Sequence, residues 1–258
     1  PAPPGAGRLL REPAGLAARI HRGSTGAWVT AAVAVGGAFG ILARSAVDAA
    51  VANPGLASAL GSRARPEDAF LGAGLLYLAM LSCGYAVQAA GTLRREEVDG
   101  RLEPLLAGTV SRSRWARTQA ATVVAGLVLV TVAGSVTFAL TAAASIGDAS
   151  LAGTLLRDGV AYLPAALLVA AVALLVYAAA PRAVPAVWAA FGVVLFVEIL
   201  GPGLRLPGWV LHLAPTTAIG SPPTGRVEPV GLAVLTVLAV ALGVLALAAF
   251  RRRAIPVR

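Results

Sequence analysis

Reactive side chains are scarce in this 258-residue chain, and what is missing excludes whole classes of chemistry. The single cysteine, Cys83, has no partner for an internal disulfide. His21 and His212 are too widely separated to make a zinc-ligand spacing with it. All 21 basic residues are Arg. No lysine is therefore present to reach nucleotide phosphates in a P-loop, to form a Schiff base or to serve a Ser-Lys pair. With no Asp, His or Cys cluster at catalytic spacing, the chain is expected to carry no catalytic residue, no metal and no cofactor of its own. The ionisable groups that remain form two sets. Arg44, Asp48 and Glu198 interrupt apolar runs, where charge is costly and points either to a self-neutralising arrangement or to an ion relay. The second set packs nine charges into residues 92–115, a density suited to gripping another protein.

The elements that must position these groups are membrane helices. Hydrophobic residues make up 58% of the chain and charged residues 13%, with a mean hydropathy of +0.80. Soluble domains carry roughly 25% charged residues, so this chain cannot cover itself with polar groups and its solvent is lipid. About 20 apolar residues at 1.5 Å each cross the hydrocarbon core, and six segments qualify: 27–51, 69–91, 117–144, 160–180, 184–200 and 230–250. The expected fold is an all-α, six-span membrane protein. Residues 1–26 are expected to form a cytoplasmic amphipathic segment ahead of a six-span transmembrane domain over 27–258. If both termini face the cytoplasm, 15 Arg lie in inner segments and 5 in outer loops, which sets that orientation. Trp28, Trp115 and Trp188 then fall near inner boundaries. The net charge of +9 is explained by juxtamembrane Arg meeting anionic lipid, without nucleic acid.

Three segments are more than simple spans. Residues 8–23 place Leu9, Leu10, Leu16, Ala17 and Ile20 on one side and Arg8, Arg11, Arg19 and Arg22 at the polar edge, a basic amphipathic helix suited to the inner membrane surface. In the cytoplasmic loop 92–116, Val98, Leu102, Leu105 and Leu106 recur at helical spacing beside the charged set, with Gly100 and Pro104 as breaks. The outer connection 201–229 is too apolar for a solvated loop. Pro202, Pro207, Pro215, Pro222 and Pro223 forbid a long helix there, so short helices dipping into the outer leaflet are expected, with Trp209 and His212 as interfacial anchors. In the first span Arg44 and Asp48, four apart, share a side, while Gly36 and Gly40 permit a close helix crossing.

This plan, and above all the loop GYAVQAAGTLRREEVDGRLEPLLAGTVSRSRW, resembles ABC-2-type exporter permeases, in particular the actinobacterial polyketide-antibiotic exporter group. The matching positions are Glu96, Glu97, Gly100, Arg101, Glu103, Leu105, Leu106, Ala107, Ser111, Arg112 and Trp115. Shorter echoes are Gly147–Asp148, Pro181–Arg182, His212 to Pro215 and Phe250 to Arg253. Ala254 departs from the group, which often has Asp after the terminal Arg run.

The resemblance implies a bacterial inner-membrane permease that exports a hydrophobic or amphipathic compound, such as an antibiotic or drug. Its loop would act as the coupling helix that docks two copies of a separate P-loop ATPase subunit, which bind the ATP and Mg. Glu96, Glu97, Arg101 and Glu103 would make polar contacts there, with Leu105 and Leu106 in an apolar groove and Arg112 nearby. A second six-span unit, identical, fused or distinct, is also implied; the Met-less start at Pro1 would suit the C-terminal half of a fusion or a trimmed subunit. Spans two and five would line the path, with Tyr77, Met80, Tyr85, Phe191 and Phe196 as candidate contacts. The alternatives are a secondary transporter using Arg44, Asp48 and Glu198, an intramembrane enzyme, and a scaffold that recruits a partner without moving anything.

Overall fold

The first three spans are longer than a bilayer requires, and their surplus length builds the Arg-rich end of the molecule. A computed structural model describes residues 13–52, 66–100, 111–201, 204, 206–211, 213–220, 222 and 227–253. Helix α1 runs Pro13–Ala52, α2 Pro66–Val98 and α3 Arg112–Ile146. A short α4 (Ser150–Val160) leads into α5 (Leu163–Ala179), and a 3-10 turn at Pro181–Ala183 leads into α6 (Val184–Leu200). Then come α7 (Gly208–Leu211), a 3-10 turn at Pro215–Ile219, and α8 (Pro229–Arg252). Six helical segments are long and apolar enough to cross a membrane, with α4 and α5 together forming the fourth. The chain is an all-α, multi-pass membrane protein. Among the described residues the only bridge of strand type joins Gly220 to Val227.

Local chemistry sets the ends of these elements. Ser111 caps α3 by accepting from the backbone N–H of Arg114 at 3.3 Å. Gly147 closes it in the left-handed region, φ +83°, its N–H reaching the carbonyl of Ala143. Asp148 then starts α4, its Oδ1 accepting from the backbone N and the hydroxyl of Ser150 at 2.9 and 2.7 Å. Pro164 near the start of α5 accounts for the break at Ala161–Tyr162, since it supplies no N–H to a continuous ladder. Sequence periodicity placed a single fourth span at 160–180; the structure adds α4 before it, with Asp158 buried and joined to Arg157 at 3.0 Å.

The basic leader differs from the expectation of a helix lying on the surface. Its described part, 13–26, is continuous with the first span in one helix of 40 residues, about 60 Å long. The reason is tertiary. Ala17 and His21 are buried, His21 Nε2 meets Gln119 Oε1 of α3 at 3.1 Å, and Thr25 Oγ1 meets Tyr85 Oη of α2 at 3.2 Å. The remainder of the leader lies outside the described residues. The outer connection does fold as short helices against the bundle. Ile219 and Thr216 are buried, and the N–H of Glu228 donates to the carbonyl of Ile219 at 2.8 Å. Trp209, by contrast, is 71% exposed, where an interfacial anchor belongs.

The α1–α3 crossing is the most extensive contact in the bundle, and the two glycines singled out in the first span make it. A Cβ on Gly36 would stand 2.6 Å from the carbonyl oxygen of Gly134, and one on Gly40 would stand 2.8 Å from the backbone N of Ala142. Helices in lipid gain little from burying apolar surface against each other, so close backbone approach and polar links carry association. Thr131 Oγ1 donating to Ser82 Oγ at 2.9 Å is one such link between α2 and α3. Gly36→Ala should therefore lower stability by about 1–3 kcal/mol through overpacking. Gly26→Ala, with nothing within 4 Å of the added carbon, should be neutral or stabilising. Thermal unfolding in detergent checks the pair; equal behaviour would remove the crossing from the account.

Candidate functional site

The charged loop is held by its flanks. At the end of α2, Gly100 adopts φ +70°, which turns the chain out of the helix after Arg95–Gly100. One turn earlier Glu97 points into the bundle. Both its oxygens meet the guanidinium of Arg253 at the end of α8, Oε2 at 3.1 Å and Oε1 in a short contact. The side chains of the pair are only 15% and 14% exposed. Arg253 Nη1 also donates to the carbonyl of Tyr177 at 3.4 Å, and the guanidinium lies 5.9 Å from the Tyr177 ring centroid, within cation–π range.

The other flank meets the same residue. Arg112, the first residue of α3, donates to the carbonyl of Arg253 at 3.2 Å. One turn on, Trp115 stacks on Phe250 at 5.1 Å, and Phe250 stacks on Tyr177 at 6.1 Å. The start of α3 and the ends of α2, α5 and α8 thus converge on Arg253, an arginine placed where the C-terminal dipole of α8 favours a cation. Leu93, Ala173 and Val184 complete the apolar floor beneath.

This geometry gives several of the expected docking residues contacts within the chain. Glu97 and Arg112 serve the anchorage, and Gly100 serves the turn. Glu96 is half-buried and its charge acts on His21. Arg101, Glu103, Leu105 and Leu106 lie outside the described residues. Sequence reasoning missed Arg253, Tyr177 and Phe250 as partners of the loop. The only signal was the echo Phe250 to Arg253, which says nothing of what these residues touch.

The intramembrane charges separate rather than converge. Arg44 pairs with Asp48 at 3.5 Å, as the four-residue spacing implied. It also donates through Nη1 to the carbonyl of Ile146 at 2.7 Å, while Ser145 Oγ donates to the carbonyl of Ile41 at 3.0 Å. Arg44 is thus a fastener at the C-terminal end of α3. Glu198 stands apart on α6, with Oε1 buried and lacking a hydrogen-bond partner, close enough for its charge to act on Cys83 and Tyr162. Among the described residues no ion pair joins it to Arg44. His212 lies outside the described residues.

The candidate path residues scatter as well. Met80 and Tyr85 are buried in the bundle interior with Leu127 and Val130, and Tyr85 Oη meets Thr25 Oγ1. Tyr77 packs on Phe39 at 5.3 Å, and Phe191 meets Trp188 edge-on at 6.0 Å. Phe196 is exposed on α6, whose buried residues are only Val184 and Val197. An open apolar cavity lies elsewhere, between α3, α5 and α8, and none of the five candidates lines it.

Comparison with known proteins completes the description. The family described as "Multidrug efflux system permease Rv1217c, C-terminal domain" matches residues 10–251. The multidrug efflux system permease protein Rv1217c of Mycobacterium tuberculosis (strain ATCC 25618 / H37Rv) is 31% identical over 252 residues, covering 96% of this chain. The chain spans 46% of the length of that relative.

The Glu97–Arg253 pair yields a direct stability test. Glu97→Gln or Arg253→Gln alone leaves an uncompensated, mostly buried charge and should cost about 3–5 kcal/mol. The double variant should recover much of the loss. Unfolding by urea in mild detergent, read as a double-mutant cycle, checks it; additive losses would mean that the two residues act independently.

Proposed function

The chain belongs to the family of the multidrug efflux permease Rv1217c C-terminal domain, and on that premise we propose that it is one six-span half of an ATP-driven exporter permease. The ABC-2-type resemblance read from the loop agrees with this family. In the proposed assembly the chain pairs with a second six-span unit in a bacterial inner membrane, both termini cytoplasmic. Two P-loop ATPase subunits dock on the loop and supply the ATP and Mg chemistry that a chain without lysine has no P-loop to perform. The cargo is a hydrophobic or amphipathic compound, in keeping with the apolar surface that α6 presents.

The observation that carries the mechanism is the anchorage of both loop flanks on Arg253. A push on residues 101–110 reaches α2 through Glu97 and α3 through Arg112, and Arg253 passes it to α5 and α8. A flexible connector would absorb such a push. Closure of the ATPase pair then biases the permease between inward-open and outward-open shapes, because the ATPase dimer binds the two shapes with different affinity. Exposed Phe196 and partly exposed Tyr77 stay as path contacts facing the second unit.

The test is gentle purification of the whole transporter with identification of what co-elutes in stoichiometric amounts. A P-loop ATPase should co-elute, and Arg101→Glu should release it while membrane insertion persists. Elution without any ATPase under several detergents would overturn the proposal. Glu198 would then be the residue to test as a proton site in a gradient-driven transporter.

A further inference from the structure

The apolar cavity between α3, α5 and α8 has a volume of about 380 Å³, within the range of ligand sites. Its walls include Trp115, Gln119, Leu174, Thr236, Leu247 and Phe250, and no carboxylate lines it. Val124 of α3 and Val240 and Val244 of α8 line it too while being exposed, so it opens sideways between α3 and α8 toward lipid. At the Arg-rich end it runs into a second hollow that shares Ala116, Val244 and Leu247 with it and is bordered by Ser113, Arg117 and Arg251.

These two arginines differ from Arg253. Arg117 donates only its Nε, to the carbonyl of Ser113 at 3.3 Å, and among the described residues neither Arg117 nor Arg251 pairs with a carboxylate. An apolar slot open to the bilayer thus ends, at the Arg-rich end of the bundle, in two guanidinium groups that face no carboxylate among the described residues. Guanidinium groups match the geometry of phosphate oxygens, and basic pockets between membrane helices bind anionic head groups. A neutral apolar compound would make no use of the charged rim.

We propose that this groove holds one anionic phospholipid. Its phosphate sits between Arg117 and Arg251, and one acyl chain fills the cavity between α3 and α8, beneath the Trp115–Phe250 stack that carries the loop anchorage. The site rests on the membrane reading and the groove alone. Whether the chain exports anything, or binds an ATPase, does not enter the test.

The chain in detergent is titrated with phosphatidylglycerol or with phosphatidylcholine of the same acyl chains, and retained lipid is counted by native mass spectrometry. One phosphatidylglycerol should be retained per chain in preference to phosphatidylcholine. Arg117→Gln and Arg251→Gln should each lower its retention about fivefold, while Arg95→Gln, an exposed arginine away from the groove, should not. Gly243→Leu should lower it as well. Gly243 lines the cavity with nothing within 4 Å of an added carbon, so a larger side chain there begins in open space and takes up room in the slot. Equal retention of the two lipids, no loss in the Arg117 and Arg251 variants, or an equal loss with Arg95→Gln would overturn the proposal. So would losses confined to the arginine variants with Gly243→Leu unchanged, because the acyl chain would then lie outside the groove.

Discussion

An ion pair taken mostly out of water has to be matched on both sides, and in this chain the match between Glu97 and Arg253 decides what the charged loop is attached to. Glu97 ends one helix and Arg253 ends another, 156 residues apart in sequence. Arg112 and Tyr177 add hydrogen bonds to the same arginine from two more helices. The loop therefore leaves and re-enters a single rigid junction. Truncating either partner strands a charge where water cannot reach it freely, which is costly.

Beneath that junction the bundle is held as helices in lipid must be held. Apolar contact between spans competes with equally apolar acyl chains, so specificity comes from close backbones and a few buried polar links. Gly36 and Gly40 bring α1 against α3, while His21–Gln119, Thr25–Tyr85 and Ser82–Thr131 fix the register of α1, α2 and α3 at successive depths. Arg44 fastens the opposite end by donating to the carbonyl of Ile146 and the hydroxyl of Ser145 at the end of α3. Helices α6 and α8 lack such links in their exposed faces and present Val193, Phe196, Val237 and Val240 outward. Those are the faces left for lipid or for a second six-span unit.

Much of this was legible in the sequence because membrane spans declare themselves by length and hydropathy, and the six segments fall close to the helices observed. The Arg44–Asp48 pair and the Gly36–Gly40 crossing were also legible, since both depend on spacing within one helix. What escaped depends on neighbours remote in sequence. His21 reads as part of a basic leader and is instead buried on Gln119. The burial of Met80 and Tyr85 was not legible either, because hydropathy cannot tell a face turned to the bundle from one turned to lipid or to a pathway. Helix α4 escaped because its apolar content merges with the span that follows; only Pro164 marks the break. Glu97 was recognised as important, but its partner at residue 253 carries no local signature.

The claim on which the account turns is that loop and bundle move together through one ion pair. Its most direct test is charge reversal in the proposed transporter: Glu97→Arg, Arg253→Glu and the two combined, with efflux and membrane insertion measured for each. Each single reversal should insert but lose efflux, and the combined swap, which rebuilds the pair with its polarity inverted, should regain a substantial part of it. Efflux that survives either single reversal, or a swap no better than the singles, would contradict it.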